Sequence, residues 1–580
     1  MKYLRFYFKK YRLESLLAPL FKMLEACFDL AVPIVVARII NIGIAQGDRG
    51  YILTRFGILG AMGLLGLLCS FTAQWFSAKA ATGTATGLRH RLLEKIQSLS
   101  LTELDGMGVP TLITRMTSDI NQVQNGMNLF LRLFLRSPFI VLGAMVMAFS
   151  IDSTLALIFV AVILVLSLIV GGIMLLSNPR NKEVQRKLDG ITAATRESLL
   201  GVRVIRAFGR EEAETEAFHA RSQDLTRSQI AVSRVTALLN PLTYVVINGA
   251  IIAFLYFGAR RVNGGLLLSG DVIALINYIS QILVELVKLA NLVVSLSKAV
   301  ASMGRIEEIL DTPCSMDFSG SAAGSNPAEA VRFEDVFLRY RDAGADSLSH
   351  ISFTAMAGET IGVIGGTGSG KSSLVQLIPR FYDAASGTVY IQGDPVKSWD
   401  KAALQRTVAL VDQKARLFKG TIRSNLLWGK KDVTEADLWA ALETAQAADF
   451  VRAKPLGLEE PVEQGGNNLS GGQKQRLTIA RALLAGADIL ILDDSASALD
   501  YATDAALRHA LRAMPGKRTL FIVSQRTGSI AHADKILVLE EGQLVGCGTH
   551  ESLLTDCPVY KEIYDSQFKK SADIPAEKEA

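Results

Sequence analysis

The sequence has little cysteine and almost no surplus of charge. Five cysteines occur among 580 residues, scattered without the spacing of a metal site or a disulfide framework, so reduced thiols are expected. Lysine and arginine exceed aspartate and glutamate by five, too small an excess for this length to indicate a nucleic-acid partner. No small-residue cleavage site follows the basic, aromatic first residues, so no cleavable signal peptide is predicted.

The sequence also has fewer polar residues than a soluble enzyme usually has. Hydrophobic residues make up 49% of the chain, and the mean hydropathy is +0.29. A chain of this length exceeds what a single hydrophobic core can serve. We therefore expect more than one domain, with at least one of them in a membrane.

Six apolar stretches occupy the first half of the chain, and each can cross about 30 Å of hydrocarbon as a helix. They cover residues 16–40, 56–75, 130–149, 155–176, 238–257 and 272–296. The connections over residues 78–129 and 177–237 are long and helical in pattern, and both contain basic clusters. Together with the basic N-terminus, these clusters place the two connections in the cytoplasm. The helices are therefore expected to continue beyond the bilayer.

A glycine-rich loop in the second half fits the pattern G-x-x-x-x-G-K-[ST] and follows an apolar run at 360–364. The loop and the residue after it are Gly365, Gly366, Thr367, Gly368, Ser369, Gly370, Lys371, Ser372 and Ser373. In such a loop, backbone N–H groups at a helix N-terminus bind phosphates, the lysine reaches the terminal phosphates, and the serine hydroxyl holds Mg²⁺. The loop therefore predicts a nucleotide site.

A second motif further downstream begins with a glycine turn and ends in two carboxylates. Its turn consists of Ser470, Gly471, Gly472 and Gln473, and a helix-forming stretch follows. The apolar run 489–492 predicts a buried parallel strand. Asp493 and Asp494 come at the carboxyl end of that strand, where nucleotide sites form in open α/β sheets.

Together these segments resemble the ATP-binding cassette (ABC) exporters. The loop at 365–372 resembles the Walker A motif, residues 470–473 the ABC signature, and 489–493 the Walker B motif. Two segments of the cytoplasmic connections, 109–119 and 200–208, resemble inner-loop motifs of the same family. The resemblance thus covers nearly the whole chain. It implies an all-α membrane domain of six helices, followed by an α/β P-loop nucleotide-binding domain.

The resemblance also implies roles for single residues, with ATP and Mg²⁺ as cofactors. Gln413 matches the Q-loop glutamine and would hold Mg²⁺ with Ser372 and Asp493. Asp500 matches the D-loop aspartate, and Tyr340 lies where the family places an aromatic ring against adenine. We expect a membrane domain at 1–312, a Gly/Ser/Pro-rich linker at 313–329, a nucleotide-binding domain at 330–569 and a disordered tail at 570–580.

Two residues depart from the family pattern. Asp494 occupies the position of the hydrolytic glutamate, and Gln525 that of the switch histidine. Aspartate is shorter by about 1.5 Å, and a misplacement of about 1 Å can cost ~100-fold in rate. Glutamine offers no ionisable imidazole to a growing negative charge. Both changes weaken the same step in the same ATP site, although two tolerated substitutions would look the same.

The family pairs two cassettes head to tail, so a chain with one cassette is half a transporter. The signature at 470–473 is intact and would serve the opposite ATP site. We therefore expect a heterodimer in which this chain contributes a degenerate site and a different ABC subunit contributes the competent one. The partner's own signature is expected to be non-consensus.

The sixth apolar stretch carries a polar stripe on one helical face. Its members are Asn277, Gln281, Glu285, Lys288 and Asn291. A polar face on a membrane helix must contact protein or water. The stripe therefore either lines a transport pathway or holds a Glu285–Lys288 pair buried against another helix. In the third stretch, Arg132 and Arg136 either snorkel to the inner-leaflet head groups, which we expect, or face the cavity.

Three alternatives remain open from the sequence. The chain could form a homodimer with two slow sites, an importer on the exporter fold, for example for metal–siderophore complexes, or an ATP-gated channel or regulatory subunit. The substrate is not readable, and amphipathic small molecules such as drugs, lipids and peptides all fit. We expect a bacterial inner-membrane protein whose N-terminus and nucleotide-binding domain are cytoplasmic.

Overall fold

The computed structural model describes residues 2–568 apart from positions 323, 342, 431, 515 and 517. The expected tail at 570–580 lies outside the described residues. The chain divides into two compact units. One contains the chain up to Gln97 together with Pro110–Thr312, and the other contains Ser98–Val109 together with the chain from Pro313 onward.

The first half of the chain is helical. Its α-helices are α1 Lys2–Lys10, α2 Arg12–Arg38, α3 Arg49–Ser98, α4 Leu101–Met107, α5 Val109–Thr114, α6 Ile120–Leu133, α7 Arg136–Ile151, α8 Ser153–Leu200, α9 Val202–Ala207, α10 Glu211–Ala237, α11 Leu239–Asn263 and α12 Ser269–Asp311. Two π-helical segments, Ile39–Ile44 and Arg115–Asp119, continue α2 and join α5 to α6. Apart from α4 and the end residues Ser98 and Val109, these elements belong to the first unit.

Six helical segments of the described chain are long and apolar enough to cross a membrane, which confirms the predicted six spans. They are Arg12–Ile44, Arg49–Ser98, Val109–Ile151, Ser153–Leu200, Glu211–Asn263 and Ser269–Asp311. A helix of 50 residues, such as α3, is about 75 Å long. This is more than twice the hydrocarbon thickness of about 30 Å, so the predicted extension beyond the bilayer is also confirmed.

The second unit is built around β-sheets. Its strands are β1 Glu329–Leu338, β2 Leu348–Met356, β3 Thr360–Gly365, β4 Ser386–Ile391, β5 Asp394–Pro395, β6 Val408–Val411, β7 Gly420–Thr421, β8 Pro461–Val462, β9 Ile489–Asp493, β10 Thr519–Val523, β11 Lys535–Glu540 and β12 Gln543–Gly548. The largest sheet has the order β12-β11-β3-β10-β9-β6, parallel except for β12. A smaller antiparallel sheet has the order β2-β1-β4-β5.

Helices connect and cover these strands. They are α13 Lys371–Leu377, α14 Lys401–Thr407, α15 Ile422–Leu426, α16 Glu435–Thr444, α17 Ala448–Arg452, α18 Gly471–Ala485, α19 Tyr501–Arg512, α20 Thr527–Ile530, α21 His550–Asp556 and α22 Pro558–Phe568. All five residues of β9 are buried, as its unbroken apolar run predicts. Since β3, β9 and β10 are parallel neighbours, their carboxyl ends share one edge of the sheet, where the nucleotide motifs meet.

The segment at 313–329, expected to be a linker, packs on the second unit. Ser319 forms an antiparallel bridge with Asp400, and Ala322 forms a parallel bridge with Trp399. A Cβ added to Gly320 would lie 1.9 Å from the carbonyl oxygen of Ser398, so any other residue would require the backbone to shift. At least part of the segment is therefore packed against the second unit and is not an unattached linker.

Candidate functional site

The phosphate-binding loop runs from the end of β3 to the start of α13. Gly370 caps the helix in a left-handed conformation with φ +93°, and a Cβ there would lie 2.7 Å from Leu348, so glycine is required on both counts. The Lys371 Nζ donates to the carbonyl oxygens of Gly365 at 3.0 Å and Gly366 at 2.6 Å. Burial lowers the pKa of the Lys371 ammonium. The ammonium is thus held at the loop by weak neutral acceptors, which a phosphate could replace.

The two carboxylates at the end of β9 have different surroundings. Asp493 is 3% exposed, and its Oδ1 accepts a hydrogen bond of 3.0 Å from the Ser372 hydroxyl. Asp494 has a left-handed backbone with φ +44°, and its Oδ2 accepts from Nε2 of Gln413 at 3.2 Å. Burial raises the pKa of both carboxyls. The structure therefore brings Ser372, Gln413 and both aspartates together, as the motifs predict.

A cavity of about 560 Å³ opens at these groups. Of the residues singled out from the sequence, it is lined by Thr367, Gly368, Gly370, Lys371, Ser372, Ser373, Gln413, Asp493, Asp494 and Gln525. Sequence reasoning missed the rest of its lining, which is Ala345, Asp346, Ser347, Val523, Glu541 and Gly542. The loop before β2 and the turn between β11 and β12 supply most of the missed residues, and neither carries a motif. Only their tertiary placement reveals them.

Tyr340 is not part of the lining of this cavity. Its half-buried ring packs edge-on against Tyr382, with 5.0 Å between the centroids, and its hydroxyl donates to the Ser373 hydroxyl at 3.0 Å. Tyr382 in turn donates to Asp105 of α4 at 2.6 Å. Tyr340 thus lies beside the first turn of α13, with its ring packed edge-on against Tyr382 in this structure.

The signature residues lie at the N-terminus of α18, away from the cavity lining. Ser470 is the N-cap and forms a capping box with Gln473, and Gly471 and Gly472 occupy the first helical positions. Exposed N–H groups at a glycine-rich helix start favour an anion. Asp500 caps α19 by accepting from the backbone N–H of Thr503 at 2.8 Å. Neither the signature nor Asp500 is among the described residues that line the cavity.

The residues at the cavity fit Mg²⁺ together with a triphosphate. Magnesium prefers oxygen ligands and is held by one or two carboxylates plus substrate phosphates. The Ser372 hydroxyl and the Asp493 carboxylate are already within hydrogen-bonding distance of each other, and the Gln413 amide is held against the neighbouring Asp494. Ser372, Gln413 and Asp493 would hold the ion, whose charge would offset that of the buried Asp493 carboxylate.

The polar stripe of the sixth span is divided between buried and exposed side chains. Glu285 is 3% exposed. It accepts from Arg136 at 2.5 Å, from Ser137 at 2.7 Å and from Lys288 at 2.9 Å. The structure thus shows the predicted Glu285–Lys288 pair in its buried form. Asn277 and Asn291 are exposed, and Gln281 and Lys288 are half-buried.

The expectation that Arg136 snorkels to lipid head groups is wrong. Its side chain is 10% exposed, and its guanidinium bonds Glu285 and, at 2.8 Å, Asp29 of α2. Two carboxylates on neighbouring helices satisfy a buried guanidinium better than a distant interface can. Helix spacing within one span does not reveal partners on other spans.

Comparison with known proteins follows the same division of the chain. Residues 15–286 match the model of the ABC transporter transmembrane region, and residues 348–497 match the ABC transporter model. A Mycobacterium tuberculosis protein named as an uncharacterized ABC transporter ATP-binding protein is 35% identical over 573 residues, or 97% of each chain. The chain belongs to the ABC transporter family.

Three further proteins that resemble this ABC transporter have lower sequence identity. A Bacillus subtilis protein, also named as an uncharacterized ABC transporter ATP-binding protein, is 32% identical and covers 97% of this chain and 98% of its own. The ATP-dependent lipid A-core flippase of Xanthomonas oryzae is 29% identical, covering 87% and 85%. The solved structure of a bacterial Atm1-family ABC exporter with ATP bound has a TM-score of 0.81 at 22% identity, covering 98% and 99%.

These similarities confirm the predicted fold class, a six-helix membrane domain followed by an ABC nucleotide-binding domain in the exporter arrangement. The transporter is a multi-pass inner-membrane protein with a cytoplasmic nucleotide-binding domain. Its ABC domain implies ATP binding and transport coupled to an ATPase. ABC exporters act as dimers, so this chain is one half of a functional unit.

Proposed function

We propose that this chain is one half of an ATP-driven exporter that pairs with a different ABC subunit. Its own site would bind Mg-ATP through Lys371, Ser372, Gln413 and Asp493, and would hydrolyse it slowly. Asp494 would stand at the position of the base, and Gln525 at that of the switch. Tyr340 would turn away from Ser373 to contact adenine. This requires breaking only the hydrogen bond of its hydroxyl to Ser373, which is a single bond between neutral groups.

The observation that carries this proposal is the state of Asp494. Its carboxylate is both shorter than a glutamate and engaged by Gln413 at 3.2 Å. A general base must reach the water from which it takes a proton, and about 1 Å of misplacement can cost ~100-fold. Gln525 lines the same cavity and cannot become an imidazolium. Two handicaps in one site favour nucleotide retention over turnover.

The intact signature supports a dissimilar partner. In the family each signature acts on the nucleotide of the opposite chain, so Ser470–Gln473 would serve the partner's site. The capped, glycine-rich start of α18 is suited to a phosphate. A signature of this quality has most use where the opposite site hydrolyses ATP rapidly. Two copies of this chain would provide only slow sites.

Export of an amphipathic compound, a lipid or a peptide fits the fold best. The similar flippase of Xanthomonas oryzae is named for lipid A-core, which supports lipid-like substrates without identifying one. We place the transport pathway along the exposed and half-buried members of the sixth-span stripe, since polar groups there need water or a polar ligand. Asn277, Gln281, Lys288 and Asn291 would contact it, and Glu285 would support them from a buried position.

The ATPase rate of the purified, reconstituted chain tests the proposal. The chain alone should bind ATP in a filter assay yet turn over slowly. The double variant Asp494→Glu with Gln525→His should raise the rate by about 100-fold, because it restores both reach and ionisable imidazole. The matched control Asp494→Asn should bind ATP and stay slow. Rapid turnover by the unaltered chain alone would refute the heterodimer.

A further inference from the structure

Six charged side chains form one cluster between the first, third and sixth spans. They are Lys22, Glu25, Asp29, Arg136, Glu285 and Lys288. Lys22 pairs with Glu25 at 2.5 Å, Arg136 pairs with Asp29 at 2.8 Å and with Glu285 at 2.5 Å, and Lys288 pairs with Glu285 at 2.9 Å. Three positive and three negative groups give the cluster no net formal charge.

The cluster lies in the inner half of the membrane. Asp29, Arg136 and Glu285 are each about 22–24 Å along their helices from the outer ends at Ile44, Ile151 and Ser269. The hydrocarbon core is about 30 Å thick. Charged groups at this depth are costly and mark functional positions more often than structural ones. Charged groups from three helices at the same depth therefore indicate a functional site.

Three side chains of the cluster are buried, whereas two others are partly exposed. The side chains of Arg136, Glu285 and Lys22 are at most 10% exposed, and they are paired with one another or with Glu25 and Asp29. Asp29 and Lys288, in contrast, keep 44% and 42% of their side-chain surface exposed. A ligand can therefore reach one carboxylate and one ammonium. Because both flank the Arg136–Glu285 pair, the Asp29 carboxylate and the Lys288 ammonium are no more than about 11 Å apart.

We infer that Asp29 and Lys288 together bind a zwitterionic amphiphile, whose head group carries both an ammonium and a phosphate or carboxylate. Each end is already paired once, but a carboxylate keeps further acceptor sites and an ammonium further donors. A ligand with one charge would therefore engage only one of the two ends. Val284, one turn before Lys288 on α12, is exposed and provides apolar surface for a tail. The inference rests on the proposed transport function, for which it names the substrate class.

Native mass spectrometry of the full chain in a non-ionic detergent tests this assignment. The probes are three lipids with identical acyl chains: zwitterionic phosphatidylethanolamine, anionic phosphatidylglycerol and a cationic trimethylammonium-propane lipid. Phosphatidylethanolamine should bind at least about tenfold more tightly than the other two, since it gains one further charge-assisted hydrogen bond. Equal affinity for the three lipids would overturn the inference.

Two neutral variants and a matched control locate the site. Asp29→Asn should reduce phosphatidylethanolamine binding to the level of phosphatidylglycerol, and Lys288→Gln should reduce it to that of the cationic lipid. Both leave the Arg136–Glu285 pair in place, which a thermal-unfolding measurement checks. Lys79→Gln changes another exposed, ion-paired lysine, which pairs with Glu14 at 3.1 Å, and should have no effect. A preference that survives both cluster variants would show that the lipid binds elsewhere.

Two further measurements distinguish binding of the whole lipid from binding of its head group, and lipid binding from ATP turnover. Tail-free glycerophosphoethanolamine should compete poorly; competition as strong as that of the lipid would overturn the amphiphile assignment. Binding does not require ATP turnover. Selective lipid binding in a chain that also hydrolyses ATP rapidly would therefore support this inference while refuting the proposed heterodimer.

Discussion

Asp493 is buried beside a second carboxylate, so its negative charge is costly whenever no cation is near. Burial is the main cause of its raised pKa, and Asp494 adds to it, while Ser372 and Lys371 oppose it. A carboxyl whose pKa is raised on folding stabilises the fold below the ordinary aspartate pKa. That contribution is lost as the pH rises through the raised value. In the nucleotide-free protein at neutral pH, the charged Asp493 carboxylate therefore lowers the stability of the fold.

Replacing this carboxylate with an amide should remove the cost. Asp493→Asn keeps an oxygen that can accept from Ser372, so at neutral pH without nucleotide its melting temperature should exceed that of the unaltered chain. The difference should shrink as the pH falls through the raised pKa of Asp493. Mg-ATP should reverse the order, because only the carboxylate gains the cation. Thermal unfolding at two pH values, with the exposed Asp432→Asn as control, measures this.

At this scale, residues could be predicted wherever a motif is local in sequence. The phosphate loop, the carboxylates at the end of β9 and the pair of Glu285 with Lys288 each depend on residues that lie close together in the sequence. Arg136 could not be predicted, because its partners Asp29 and Glu285 lie on spans far away in the chain. Asp346 and Glu541 reach the cavity from loops without a motif, for the same reason.

Close packing of α6 on α12 depends on one glycine. A Cβ added to Gly126 would lie 2.2 Å from the Cβ of Ala299, and small residues are what permit such contacts between membrane helices. Nearby, Asp119, the last residue of the π-helical segment before α6, accepts hydrogen bonds of 3.0 Å from each of Ser302 and Arg305 of α12. The two contacts together fix how these helices lie against each other.

Gly126→Ala should therefore destabilise the transporter by about 1–3 kcal/mol, the usual cost of overpacking. Gly171→Ala is the matched control, because a Cβ at Gly171 meets nothing within 4 Å and alanine improves helix propensity. The melting temperature of detergent-solubilised protein, followed by size-exclusion chromatography, should fall for the first variant and not for the second. An equal response of both variants would contradict the role given to Gly126.

Elements were the most predictable level. Apolar runs longer than about 18 residues identify spans without further context, and β9 and α18 follow from their patterns. The sequence pattern could not predict that the segment at 313–329 packs on the second unit. Its glycines and serines favour a flexible tether, yet Gly320 serves instead to bring the backbone against Ser398.

The described part of the chain has six spans, an even number, with its long connections on the cytoplasmic side. Alkaline phosphatase is active only outside the cytoplasm, so fusions at successive turns report topology. Fusions after Gly47 and Gly265, in the short turns that precede the second and sixth spans, should be active. A fusion after Gly209, between α9 and α10, should be inactive. Activity of the Gly209 fusion would overturn the assigned orientation.

The short segment Ser98–Val109 belongs to the cytoplasmic unit, although it is made between the second and third spans. Its Glu103 accepts from the backbone N–H of Ser315 at 3.3 Å, and Asp105 accepts from Tyr382 at 2.6 Å. A ribosome adding about 5–20 residues per second reaches Ser315 some 10–40 s after this segment emerges. The nascent segment must wait for those partners while four further spans enter the membrane, so completion of the cytoplasmic unit follows successful membrane insertion.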